Sequence, residues 1–312
     1  MKKVLYVGLK WNYGKKEEDT SFEYRNIEAG IKECADVTCW HPDEPSMSED
    51  ELLELVPKFD CIFHTAFNET LDLPESVARL AMRIDIPVVQ WDCDASWRFH
   101  NWILPHRKDR ASHFITTHSS TVGWYEKCGM NVIKSQWAGS PMYVGKPDTP
   151  KLYDVGFAGQ KHGIRTQLIE VMAKAGFDVH VFGHYWEDFP NSHPHTPQLQ
   201  QMIDVLDASK ICLNLSNPWH VGTMPQIKGR HFEIPQVGGF QLTTTADNLD
   251  EYFVPDKEII VVHSAPDLIE RSLYYLDHED ERLAIAKAGQ ERVLRDHQWK
   301  HRFEDIFNEI GI

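Results

Sequence analysis

No stretch of this sequence approaches the roughly 18 consecutive apolar residues that a helix needs to span a bilayer. The amino terminus, Met1-Lys2-Lys3, is followed only by the short apolar run VLYVGL, which reads as a first strand. Neither a membrane anchor nor a secretory leader is therefore expected. Positive charge is scarce: 32 Lys and Arg face 47 Asp and Glu, leaving a formal charge of −15 and a pI near 5.5. A surface of that sign repels phosphate backbones and argues against general nucleic-acid binding, though it leaves room for a local basic patch. Paired cysteine motifs are missing. Cys34, Cys39, Cys61, Cys93, Cys128 and Cys212 include no CxxC and mostly lie in apolar runs, so buried thiols in a reducing cytoplasm are expected. The chain also lacks internal repeats, low-complexity tracts, a GxGxxG fingerprint and a Walker A loop. Dinucleotide and ATP sites of those types lose weight accordingly.

What remains is ordinary globular composition, 42% hydrophobic and 25% charged, over 312 residues. That length suits two domains. Short β-branched runs alternate with helical patterns. Strands are expected at Lys3 to Leu9, Ala35 to Trp40, Cys61 to Thr65, Pro87 to Trp91 and Phe114 to Thr117, with helices at 21–33, 49–55, 74–83 and 121–127. The polar, Pro- and Gly-bearing segment Ser140 to Asp154 marks a boundary, placed at Pro150. The alternation then restarts, with strands at Val155 to Ala158, Val179 to Phe182, Ile211 to Leu215, Phe240 to Thr243 and Glu258 to Val262. Alternation of this kind predicts parallel sheets covered by helices. The fold class expected is α/β: a doubly wound N-terminal domain over 1–150, joined by a C-terminal helix from 296, and a second such domain over 151–295, with a cleft between them.

Two segments of the second domain carry anion-binding chemistry. Gly159-Gln160-Lys161-His162-Gly163-Ile164-Arg165 follows a strand and opens a helix, whose N-terminal amides favour an anion. Lys161 and Arg165 add cations, and an arginine can grip a phosphate with two N–H groups. An ordinary charged turn is the rival explanation. Further along, Lys228 and Arg230 precede Glu233, whose carboxylate can accept from two ribose hydroxyls, and Gly238-Gly239 would let a ligand approach the backbone. Here the rival is a charged helix ending in a turn.

Lys228 to Glu304 resembles the C-terminal module of the CgeB-like group of glycosyltransferases, also called the glycosyl transferases group 1 module. The resemblance rests on Arg230-His231-Phe232-Glu233, Val237-Gly238-Gly239-Phe240, Glu251-Tyr252-Phe253 and the Ala288 to His297 segment, in that order. VGLKWNYG (Val7 to Gly14), SFEYRN (Ser21 to Asn26), SWRFHNW (Ser96 to Trp102), SQWAG (Ser135 to Gly139) and FAGQKHG (Phe157 to Gly163) resemble bacterial and phage members of the same group. The resemblance implies a GT-B fold, a nucleotide-sugar donor with UDP-sugars foremost, and no obligatory metal or other cofactor. It implies that Glu233 holds the donor ribose, and that Lys228, Arg230 and the Gly159 to Arg165 loop hold the diphosphate. The loop bearing Gly14 would face the sugar. Retaining relatives often carry a second glutamate eight positions before the ribose-binding one. That position is Pro225 here, so stereochemistry stays open.

An inverting transfer needs a base for the acceptor's proton. Gln90 to His100 follows a strand expected to be buried, and ligands of doubly wound units gather at the carboxyl ends of strands. Asp94 is the first candidate, Asp92 the second and His100 the third. The rival role for Asp94 is pairing with Arg98 or capping a helix. Asp92-Cys93-Asp94 is also a literal DxD, the metal-holding motif of GT-A enzymes, but those lack a second α/β unit with its own phosphate loop. Trp97, Trp102 and Trp137 could offer flat faces to sugar rings, with core packing as the default. Histidines around 184–195 suggest a solvated loop rather than a metal site. The acceptor expected is a hydroxyl of a surface glycan, a protein or a hydroxymethylated base in phage DNA. Arg98, His106, Arg107, Lys108 and Arg110 form a local basic cluster, for which a solvated helix face is the rival explanation. A GT-B-fold nucleotide-sugar epimerase and an inactive donor-binding module are the alternatives.

Overall fold

A computed structural model of the chain describes residues 1–312 other than 66, 67, 69, 70, 147, 194–198 and 217–224. It divides into two compact units, Met1–Met142 with Gln298–Ile312, and Tyr143–His297. The division falls before Pro150 because Tyr143 is buried with Ala158, Met202 and Leu206 of the second unit. Lys146 N also donates to Asp207 Oδ2 at 2.7 Å, which ties this segment to the same body.

The first unit holds six parallel strands: β1 (Lys3–Val7), β2 (Asp36–Trp40), β3 (Cys61–Thr65), β4 (Val88–Asp92), β5 (His113–Thr116) and β6 (Val132–Lys134). Their order is β2-β1-β3-β4-β5-β6. The central strands β3 and β4 are buried throughout, as a sheet covered on both faces requires. The segment after β4 is helical, as the capping role considered for Asp94 allowed, running through Ala95–Arg98, Phe99–Ile103 and Leu104–Arg107. Two features were not expected from the sequence. β6 is a short edge strand. The helix over 21–33 contains a π-helical stretch, Glu23–Glu28.

The last helix, Trp299–Glu309, belongs to this first unit. Trp299 N donates to Gly139 O at 3.0 Å and its indole Nε1 to Asn26 Oδ1 at 3.1 Å. Gly30 makes the approach possible, because a Cβ there would overlap the Trp299 Cβ. Gly30→Ala is expected to cost about 1–3 kcal/mol by overpacking. Urea denaturation of the full chain checks this, and an unchanged midpoint would mean that the contact is slack.

The second unit is also a six-stranded parallel sheet: β7 (Tyr153–Ala158), β8 (Val179–Phe182), β9 (Ser192–His193), β10 (Ser209–Asn214), β11 (Gln241–Thr244) and β12 (Ile260–Val262). The order β12-β11-β10-β7-β8-β9 is the dinucleotide-fold order, with its switch point between β7 and β10. One face carries Leu168, Met172 and Leu268, the other Met202, Leu206 and Ile234. Ser192 and His193, expected in a loop, pair with Val181 and Phe182 as an edge strand. Pro194 and His195 lie outside the described residues. Among the described residues no helix is long and apolar enough to cross a membrane.

Candidate active site

In the second unit the loop after β7 lies at the switch point, where neighbouring connections part and leave a crevice. Gly163, at φ +55°, precedes the helix Ile164–Lys174, a conformation that glycine adopts without strain. Trp186 Nε1 donates to Gly159 O at 2.8 Å and Lys161 N to His184 O at 3.1 Å, so the loop is pinned from one side. Its cations differ in what they face. Lys161 Nζ is 2.6 Å from Asp188 Oδ1 and is drawn to that carboxylate. Arg165 spans the switch point instead: Nε donates to Leu215 O at 3.0 Å and one terminal nitrogen to Gln160 O at 3.3 Å. Among the described residues it has no carboxylate partner. Burial brings the Arg165 guanidinium down to about 10, and the charge of Arg230 adds to the effect. Burial holds His162 at about 4, Arg165 acting in the same direction, so this imidazole is neutral at pH 7.

Arg230 opens the helix Arg230–Gln236. Its guanidinium pairs with Glu233 Oε2 at 2.8 Å and touches the Met202 sulfur. Glu233 itself is buried. Lys228 Nζ donates to Gln226 Oε1 at 2.9 Å. Arg165 and Arg230 are therefore like charges held close enough to oppose one another, and an anion between them relieves that opposition.

Gly238 and Gly239 do not join this group. They end the Arg230–Gln236 helix, Gly238 N bonding to Pro235 O and Gly239 N to Ile234 O, each at 2.9 Å. They enter β11 at its amino end, since Gln241 pairs with Cys212 and Cys212 with Gly156. Gly159 follows β7 at the carboxyl end, about 16 Å away along the strands at ~3.3 Å per residue. Gly239 is small because Ile234 and Cys212 pack where its Cβ would be. These glycines serve a helix end and internal packing.

In the first unit, Gly14 sits in the loop after β1 at φ +72°. A Cβ there would come within 2.8 Å of Leu71 Cδ1. Asp43 ties down the start of the loop, its carboxylate accepting from Lys10 N at 3.1 Å and Trp11 N at 2.8 Å.

At the carboxyl ends of β3 and β4 lies a cavity of about 550 Å³, whose polar wall includes Glu23, Asn68, Asp92, Asp94 and Arg98. Asp92 is the last residue of β4 and is 3% exposed. Its Oδ1 accepts from Asp94 N at 3.2 Å, and its Oδ2 has no hydrogen-bond partner among the described residues. Burial lifts its carboxyl to about 6; Arg98 opposes the shift and Asp94 adds to it. Asp94 is partly exposed and precedes the short Ala95–Arg98 helix. His100 is exposed, packs on Phe99 and Trp124 and does not line the cavity. Sequence reasoning missed Glu23, which lines the same cavity and whose carboxyl is raised by burial. The one sequence signal for it was its place in SFEYRN. Among the described residues no group of three or more acidic, His or Cys side chains could hold a metal.

Residues 165–308 match a family model described as glycosyl transferase-like. A comparison with curated protein sequences finds no match. Solved structures match over the whole chain. An α-glucosyltransferase bound to UDP and a 13-mer DNA superposes with a TM-score of 0.68 at 15% identity, covering 100% of both chains. T4 phage BGT with UDP-glucose gives 0.63 at 14% identity and 99% of both chains. Anabaena Alr3699/HepE with UDP-glucose gives 0.64 at 9% identity and 100% of both. At these identities the likeness establishes the fold, which is GT-B.

Proposed function

We propose that this chain, with its glycosyl transferase-like segment on a GT-B fold, transfers a sugar from a UDP-sugar to an acceptor hydroxyl. The observation that carries the reading is Arg165, a half-buried guanidinium at the switch point, opposed by Arg230 and lacking a carboxylate partner among the described residues. A diphosphate supplies the missing negative charge, and the two guanidinium groups stabilise it as it departs. Glu233 is close enough to Arg230 to exchange that pairing for ribose hydroxyls once the diphosphate arrives. Asp92 takes the proton of the acceptor, its unpaired Oδ2 being the accepting atom. Support for the donor comes from the neighbours, three of which were solved with UDP or UDP-glucose. One was solved with DNA, an acceptor class taken up below.

A thermal-shift screen of nucleotide sugars tests the donor site without an acceptor. A ligand that binds the native state raises the melting temperature by mass action, about 2.7 kcal/mol at a hundredfold excess over Kd. UDP-glucose and related UDP-sugars are expected to stabilise the protein, and Glu233→Ala to lose most of the shift. No stabilisation by any nucleotide or sugar nucleotide at millimolar concentration would overturn the reading.

A further inference from the structure

If Asp92 is the acceptor base, the walls of the first-unit cavity indicate what carries the hydroxyl. Four indoles line it, those of Trp91, Trp97, Trp102 and Trp137. Trp91 and Trp137 are buried and meet edge to face at 5.9 Å. The Arg98 guanidinium lies 3.8 Å from the centre of the Trp102 ring. Trp97 is 41% exposed, so it is the indole with most surface available to a ligand. Among the rings stand the planar polar ends of Glu23, Asp92, Asp94, Asn68 and Asn101. Carboxylates accept from hydroxyl groups, and amides both accept and donate. Flat apolar rings beside a few polar groups suit a neutral ligand that is apolar on one face and hydroxylated at its rim. A pyranose ring has that character.

A nucleic-acid acceptor makes a different demand. Half or more of the hydrogen bonds in such complexes go to phosphate and sugar, and cations near the target must be available to make them. Of the basic cluster expected from sequence, His106 and Lys108 are exposed but do not line the cavity, and two of its arginines are engaged elsewhere. Arg107 is buried, ion-paired with Asp72 and hydrogen-bonded to Gln90 Oε1 at 3.1 Å. Arg110 donates to Leu73 O at 2.9 Å and faces Asp72 and Glu75. Inside the cavity three carboxylates stand against the one guanidinium of Arg98. In each unit, moreover, Asp and Glu outnumber Lys and Arg.

We propose that the acceptor is an uncharged glycan terminus, a sugar ring resting against Trp97 and presenting its hydroxyl to Asp92, and not a base in nucleic acid. The inference rests on the transferase reading, and its test separates the two. Tryptophan fluorescence of the full chain is followed while methyl glycosides of glucose, galactose, mannose and N-acetylglucosamine, then maltose and cellobiose, are added at saturating UDP. A duplex containing hydroxymethylcytosine is titrated in parallel at physiological salt. A saturable change with at least one glycoside is expected, weakened about tenfold in Trp97→Ala, the size of one lost aromatic contact. Trp97→Phe retains a ring and is expected to recover most of the affinity; this would exclude misfolding as the cause. The duplex is expected to leave the signal unchanged and, in a separate assay with UDP-glucose in place of UDP, to accept no sugar. Sugar transfer to the duplex, or no response to any of the glycosides, overturns the inference. Stabilisation by UDP-sugar in the same preparation shows that the donor reading survives such a result, and its absence shows that both fall.

Discussion

Asp92→Asn is expected to lower the rate of transfer by about a hundred- to ten-thousand-fold, the usual contribution of a general base, while leaving UDP-sugar binding intact. The same substitution is expected to raise the melting temperature at pH 7. Asp92 has a carboxyl lifted from 3.8 to about 6 by burial. The native state therefore holds this proton more tightly than the unfolded chain does. Between pH 4 and 6 the native state carries more protons, so the contribution of Asp92 to stability is largest in acid and is lost as the pH rises through 6. At neutral pH the wild type keeps a desolvated carboxylate that the amide replaces without charge. The gain is up to about 3 kcal/mol, because a tenfold difference in proton affinity is worth about 1.4 kcal/mol. Activity runs the opposite way. The base must be ionised, so kcat/KM is expected to rise with pH and level off above about 6. Melting curves and rates measured from pH 4 to pH 8 on both proteins check the pair of effects. A variant that loses activity and stability together would make Asp92 a structural residue.

Arg165→Met is expected to weaken UDP binding by about thirtyfold or more, since stranding one partner of a hydrogen-bonded charge pair costs about 2–5 kcal/mol. The protein without nucleotide should be no less stable, because the substitution removes a desolvated cation opposed by Arg230. Arg165→Lys should recover part of the affinity. It keeps the charge but not the two-pronged geometry that spans Leu215 O and Gln160 O. Isothermal titration with UDP, alongside melting of the nucleotide-free proteins, separates these effects. Unchanged UDP affinity in Arg165→Met would place the diphosphate elsewhere.

Both predictions concern groups whose residue type was visible in the sequence and whose state was not. Local patterns determined a great deal. Apolar runs at β1, β3, β4, β7 and β10, punctuated by helix starts and glycines, were enough to read two parallel α/β units. The ordered motifs from Arg230 to His297 were enough to point to a sugar nucleotide. Such signals are legible because hydrophobic period, turn chemistry and motif spacing are encoded within a few residues of one another. The tertiary structure decided what depends on distant neighbours. It buried Asp92 at the end of β4 and left Asp94 part-exposed two residues later, which no local rule distinguishes. It brought Glu23, from the segment after β1, into the same cavity across a wide gap in sequence. It set Lys161 beside Asp188 and Arg107 beside Asp72, partners that no local pattern named. It also placed Gly238-Gly239 at the amino edge of the sheet, opposite the end that bears Gly159. Residue type fixes what a side chain is capable of. Its desolvation and its partners, both set by contacts far apart in the chain, determine which of those capabilities is available in the fold.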